Sequence, residues 1–175
     1  MDYAIILCFD SDTDNYFQNI INSIADSGVS SYMTDKKIPP HITLAFFCTE
    51  KIDRVIDELD KRISDFKTGD ITWASLGAFV PHALYSAPVL NEYLLNACIN
   101  ANHMVEPFST VGDNGHYLPY QWVPHTSLAV QLDNERLKKA FYIASQQFTA
   151  INGKSNRLLL AECNPYTKIK SWDLK

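Results

Sequence analysis

The residues best suited to chemistry are two histidine–hydroxyl pairs, set in a phrase that the chain writes twice. Pro40-His41-Ile42-Thr43-Leu44-Ala45 and Pro124-His125-Thr126-Ser127-Leu128-Ala129 correspond position by position across a spacing of 84 residues. A single His-x-Thr tripeptide carries no information. Two copies in equivalent contexts point to a duplicated unit giving one imidazole and one hydroxyl from each half. In an extended strand alternate side chains share a face, so His41 lies beside Thr43 and His125 beside Ser127, about 6–7 Å apart. Ile42, Leu44 and Phe46 are expected on the opposite face of the first copy, and Thr126, Leu128 and Val130 on that of the second. If the strands face each other across a groove, two imidazoles and two hydroxyls meet there. Imidazole serves as base or acid near neutrality, and hydroxyls donate to oxygens where negative charge develops. That set suits chemistry at a phosphoester.

The elements that must hold these residues read as strands interleaved with helices. Residues 3–9 form an apolar run of strand length. Ser11 or Asp12 can cap a helix that turns Tyr16, Phe17, Ile20, Ile21 and Ile24 inward and ends near Gly28. A polar stretch with Lys36 and Lys37 leads into the first motif strand, His41–Cys48, and a helix over 50–66 follows. Residues 71–80 and 83–87 read as neighbouring strands joined at Pro81-His82, with Gly77 a candidate bulge. Pro88 suits the first turn of a helix running to about Asn102. Residues 107–115 show no regular pattern. The second motif strand is expected over 121–131 and a helix over 134–147. Residues 148–151 and 158–163 resemble a hairpin around Asn152-Gly153, followed by a last strand over 167–172. This order predicts an α+β chain of mainly antiparallel sheet. No linker or low-complexity stretch divides residues 1–175, so a single domain of two lobes is expected.

Composition narrows the function. With 46% apolar and 20% charged residues the chain is of the folded globular type. A net charge of −5 argues against an extended basic surface for long nucleic acid. A pocket for a small phosphate ester, or for the end of an oligonucleotide, is compatible with it. Cys8, Cys48, Cys98 and Cys163 form no C-x-x-C pair and read as buried free thiols. No two histidines stand three or four apart and no H-E-x-x-H is present, so neither a metal site nor a cofactor is expected. His82 falls in a turn, His103 at a helix end and His116 in a loop, which makes structural or surface roles their default. Residues 3–9 are too short and too acid-flanked for a signal peptide, and no stretch is long enough to span a membrane. A monomer in a reducing cytoplasm is the expectation.

The doubled His-x-Thr/Ser phrase, each copy a Pro-His strand running into Leu-Ala, resembles the 2H phosphoesterase superfamily. The similarity extends over nearly the whole chain and is greatest to the branch of 2′-5′ RNA ligase-like proteins and cyclic phosphodiesterases. It implies a bilobal, pseudo-two-fold fold with outer helices and a central cleft, and metal-independent chemistry on 2′,3′-cyclic or 2′-5′-linked phosphodiesters of nucleotides or RNA ends. It also implies that His41 and His125 are the catalytic pair and that Thr43 and Ser127 bind phosphate. Several members carry an arginine just before the second motif, where this chain has Tyr120-Gln121-Trp122-Val123. Tyr120 and Trp122 are therefore candidates for stacking on a base, and Lys37 for supplying the positive charge. Two alternatives remain: cyclic or 2′-5′ oligonucleotide signals as the substrate, and a non-catalytic nucleotide- or RNA-binding module on the same fold.

Overall fold

The apolar run of the first strand becomes the floor of a curled sheet. A computed structural model describes residues 1–175. It contains β1 (Asp2–Phe9), α1 (Ser11–Asp26), α2 (Tyr32–Asp35), β2 (His41–Cys48), α3 (Ile52–Arg62), β3 (Gly69–Phe79), β4 (Ala83–Pro88) and α4 (Glu92–Val105). Then follow β5 (Thr110–Val111), β6 (Thr126–Val130), α5 (Asn134–Ser145), β7 (Ile151–Cys163) and β8 (Tyr166–Asp173). The strands join in the order β5-β2-β1-β7-β3-β4-β6, with β8 also paired to β7. All of these pairings are antiparallel. The α+β class with an antiparallel sheet and outer helices is as expected.

The two halves join along β7. Residues 155–162 of that strand pair with β1, residues 157–163 with β8, and residues 151–155 with β3. Although β2 and β6 lie towards opposite ends of the hydrogen-bonding order, they touch. The sheet therefore curls until its motif strands face each other. Its outer face and the helices enclose the main core, where Trp73 is fully buried with Phe9 and Phe17 edge-on at 4.9 and 5.0 Å. On the inner face a small cluster of Ala4, Ile6, Cys8, Leu159 and Ala161 forms the floor between the motifs.

Several elements differ from the sequence reading, for local reasons. Helix α1 is capped by Asp10, whose carboxylate accepts from Thr13 N at 2.9 Å, and not by Ser11 or Asp12. Pro88 ends β4, and Asn91 supplies the N-cap of α4 instead. The second motif strand shrinks to Thr126–Val130, because residues 116–121 form turns and residues 122–125 are irregular. No hairpin forms at Asn152-Gly153: β7 runs straight through, and a Cβ at Gly153 would collide with Thr13. The β3 irregularity falls between Trp73 and Ser75, while Gly77 makes room for the Tyr85 ring across the strand. Of the four cysteines, Cys8 and Cys98 are buried but Cys48 and Cys163 are half-exposed near strand ends. No helix is long and apolar enough to cross a membrane.

Candidate active site

Each motif strand carries a bulge at the same place. Ile5 pairs with Ala45 and Ile6 with Thr43, which leaves Leu44 as the extra residue. Leu84 pairs with Ala129 and Tyr85 with Ser127, which leaves Leu128. A bulge restarts the alternation of faces. His41 and Thr43 look into the cleft while Ile42, Leu44, Ala45 and Phe47 enter the core, and Phe46 returns to the cleft side. Simple alternation puts Phe46 and Val130 on the core side. Phe46 instead packs on the inner cluster and lines the cleft with Thr43 and Ser127, while Val130 reaches the cleft and still packs against the main core. In the second copy Thr126 takes the position of Ile42 and is fully buried, where its hydroxyl accepts from the Trp73 indole N–H at 3.0 Å. A hydroxyl is needed there because a buried N–H without a partner is costly.

The histidines are held in the same way. Nδ1 of His41 donates to the Pro39 carbonyl at 2.7 Å, and Nδ1 of His125 donates to the Val123 carbonyl at 2.8 Å. A carbonyl can only accept, so the proton of the neutral ring sits on Nδ1 and Nε2 keeps its lone pair. Burial brings His41 down to about 4, opposed in part by the Pro39 hydrogen bond and aided by repulsion from His125. Burial also lowers His125, against its own carbonyl contact. Both rings are therefore neutral at pH 7 with two bases available. An anion bound between them favours the charged form and allows one to take a proton.

His41, Thr43 and Ser127 line a cavity of about 300 Å³ with Phe46, Tyr117 and Tyr166. His125 lies at its side, ringed by Phe79 at 4.9 Å, Tyr85 at 5.4 Å and Tyr117 at 6.2 Å. The Tyr117 ring stacks on Phe46 at 5.8 Å, and burial pushes its hydroxyl up to about 12, so it stays a neutral donor. Asn102 secures this wall. Its amide donates to the carbonyl of the bulge residue Leu44 and to that of Tyr117, both at 3.0 Å. No group of three or more histidine, cysteine or carboxylate side chains is clustered as metal ligands would be.

The structure brings together His41, Thr43, His125 and Ser127, but not the other candidates. Trp122 is 7% exposed and belongs to the core, as a large apolar ring beside a strand entrance tends to be. Tyr120 is 84% exposed on a turn with φ of 68°, and it does not line the cavity. Lys37 sits on an exposed turn after α2 and lines a different pocket, with Asp14 and Gln18. Sequence reasoning misses Tyr117 and Tyr166, one in a segment without periodicity and the other just beyond a strand end. Tyr85 is legible only through the register that sets it opposite Ser127.

The curled antiparallel sheet with its facing motif strands is a fold this chain shares with several solved structures. The structure of TT0787 from Thermus thermophilus matches with a TM-score of 0.63 at 14% identity, over 99% of this chain and 98% of that one. E. coli LigT complexed with 3′-AMP matches at 0.57 and 12% identity, covering 99% and 97% of the two chains. A crystal structure of a phosphoesterase matches at 0.57 and 14%, again over 99% and 97%. No family model and no curated protein matches the sequence itself. At such identities the likeness is one of fold.

Proposed function

We propose that the chain is a metal-independent phosphodiesterase acting on 2′,3′-cyclic or 2′-5′-linked nucleotide or RNA-end substrates, with His41 and His125 as general acid and base. The observation that carries this reading is the repeated clamp. Two imidazoles, each pinned through Nδ1 to the carbonyl two residues upstream, stand with Nε2 unbonded at one cavity, His41 lining it and His125 beside its Tyr117 wall. In hydrolysis of a cyclic phosphate one Nε2 takes a proton from water as its oxygen bonds to phosphorus. The other, as imidazolium, gives its proton to the departing ribose oxygen as that P–O bond breaks. Thr43 and Ser127 donate to the non-bridging oxygens. Run backwards, the same transfers join a cyclic phosphate to a 5′-hydroxyl. LigT, of like fold, was crystallised with 3′-AMP, which supports a nucleotide-sized ligand. The reading includes a single two-lobed domain working as a cytoplasmic monomer.

The test is turnover in EDTA by wild type and the double His41→Ala/His125→Ala variant. The panel comprises 2′,3′-cyclic nucleotides, an RNA ending in a cyclic phosphate, 2′-5′ oligoadenylate and cyclic oligonucleotides. Activity confined to wild type is expected, and the reactive member names the substrate class. Loss of activity in EDTA with recovery on adding zinc or manganese overturns the two-histidine mechanism. Silence across the panel, with nucleotide binding that survives in the double variant, makes the protein a binding module.

A further inference from the structure

The strand row that begins at His41 ends, beyond the cavity lining, in a cation that no carboxylate pairs. Cys8 pairs with His41 on one side and with Arg157 on the other, so His41, Cys8 and Arg157 form one row across β2, β1 and β7. Residues directly opposite in neighbouring strands share a face. Arg157 therefore stands on the inner face with His41, two strand spacings away, or about 10 Å. Arg157 is near enough to lower the Cys8 thiol and the hydroxyl of Tyr166, a residue that lines the cavity, against the rise that burial causes in both. Lys168, opposite Ala161 on β8, adds a second positive charge on that side.

Two details separate Arg157 from an ordinary surface arginine. Its Nε is buried and has no hydrogen-bond partner. Asp14 is near enough to be influenced by it, and its Oδ1 is likewise buried and unpartnered, while Asp173 is its cross-strand neighbour on β8. Neither carboxylate makes an ion pair with it; the cross-strand and interlobe ion pairs of the protein lie at Lys154–Asp70 and Lys170–Asp60. A half-buried guanidinium with an unsatisfied N–H costs free energy unless something supplies acceptors. A phosphate does so with geometry that matches the guanidinium fork.

We infer that Arg157, flanked by Lys168, forms a second phosphate subsite one step along the cleft from the histidine pair. The substrate is then a phosphodiester bearing another phosphate, such as an oligonucleotide end, in preference to a bare cyclic mononucleotide. This rests on the catalytic reading only for the word substrate; the subsite itself is a matter of binding. It also places the positive charge on β7 and not ahead of the second motif.

The experiment is calorimetric titration of a nucleoside 3′,5′-bisphosphate and the matching 3′-monophosphate, at about 50 mM salt. Wild type should prefer the bisphosphate about tenfold or more, as a charge-assisted bidentate contact implies. Arg157→Gln should erase the preference, and Arg157→Lys should keep part of it, having charge without the fork. Lys154→Gln removes a charge from the same strand and should keep the preference intact. No preference in wild type, or one retained in Arg157→Gln, overturns the inference. If Arg157→Gln does not fold, as circular dichroism will reveal, the Arg157→Lys comparison decides, with an undiminished preference overturning it. Preference without any turnover sinks the proposed catalysis and keeps the subsite. Hydrolysis without preference does the reverse.

Discussion

The two copies of the motif share their chemistry but not their surroundings. His41 opens β2 and is paired with Cys8 of β1, whereas His125 precedes β6, an edge strand of five residues. The bulge of the first copy is held by Asn102, while the strand end of the second is held by Ser30, whose hydroxyl donates to the Val130 carbonyl at 3.0 Å. Burial takes His41 down to about 4, and His125 sits among three aromatic rings. What the two copies share is the imidazole, its carbonyl clamp and the hydroxyl two residues on. Burial lowers both imidazoles, each against its own carbonyl contact, and His41 is lowered further by repulsion from His125.

The largest effects test the shared part. His41→Ala and His125→Ala should each lower turnover about 10²- to 10⁴-fold, with circular dichroism unchanged. A loss confined to one of them would break the equivalence of the copies. Thr43→Ala and Ser127→Ala should cost about tenfold to a thousandfold in kcat, measured on the same substrate. Similar losses support paired contacts to the non-bridging oxygens.

The next effects sharpen the differences. Because the folded His41 pKa is depressed, the unfolded chain takes up a proton that the native state refuses. Stability should therefore fall as pH drops from about 6.5 towards 4. The contribution of His41 is up to about 3 kcal/mol. Urea unfolding at pH 7 and 4.5 should show that His41→Gln flattens this slope. An unchanged slope would sever the link between His41 burial and acid sensitivity. Exchanging the core residues between copies completes the comparison: Ile42→Thr buries an unpartnered hydroxyl, and Thr126→Ile strips the Trp73 N–H of its acceptor. Each should cost about 1–3 kcal/mol in urea unfolding.

Most of this architecture can be read from the sequence because its signals are local. The 84-residue repeat marks the motif strands, and helical spacing marks the inward residues of α1, including Phe17, Ile20 and Ile24. What stays hidden depends on contacts distant in the chain. The Leu44 and Leu128 bulges emerge only when β1 and β4 are set beside their partners, which is why alternation alone puts Phe46 on the wrong face. Asn152-Gly153 has the composition of a turn, yet it is drawn straight by pairing with β3 and by contact with α1. Trp122 has a stacking residue's chemistry, but the core claims it. Arg157 looks like one charge at the head of an apolar run, and only strand order sets it in a row with His41.

The bulges also isolate reactivity from scaffolding. Upstream of Leu44 and Leu128 the strand keeps one phase, set by the histidine and the hydroxyl; downstream it keeps another, set by the core. A change in phase between the segments means that the outer part of β2 or β6 can be lengthened or reseated against its helices without rotating the imidazole. Each motif strand behaves as two modules joined by a one-residue clutch, free to drift separately while the placing of the imidazole and hydroxyl holds.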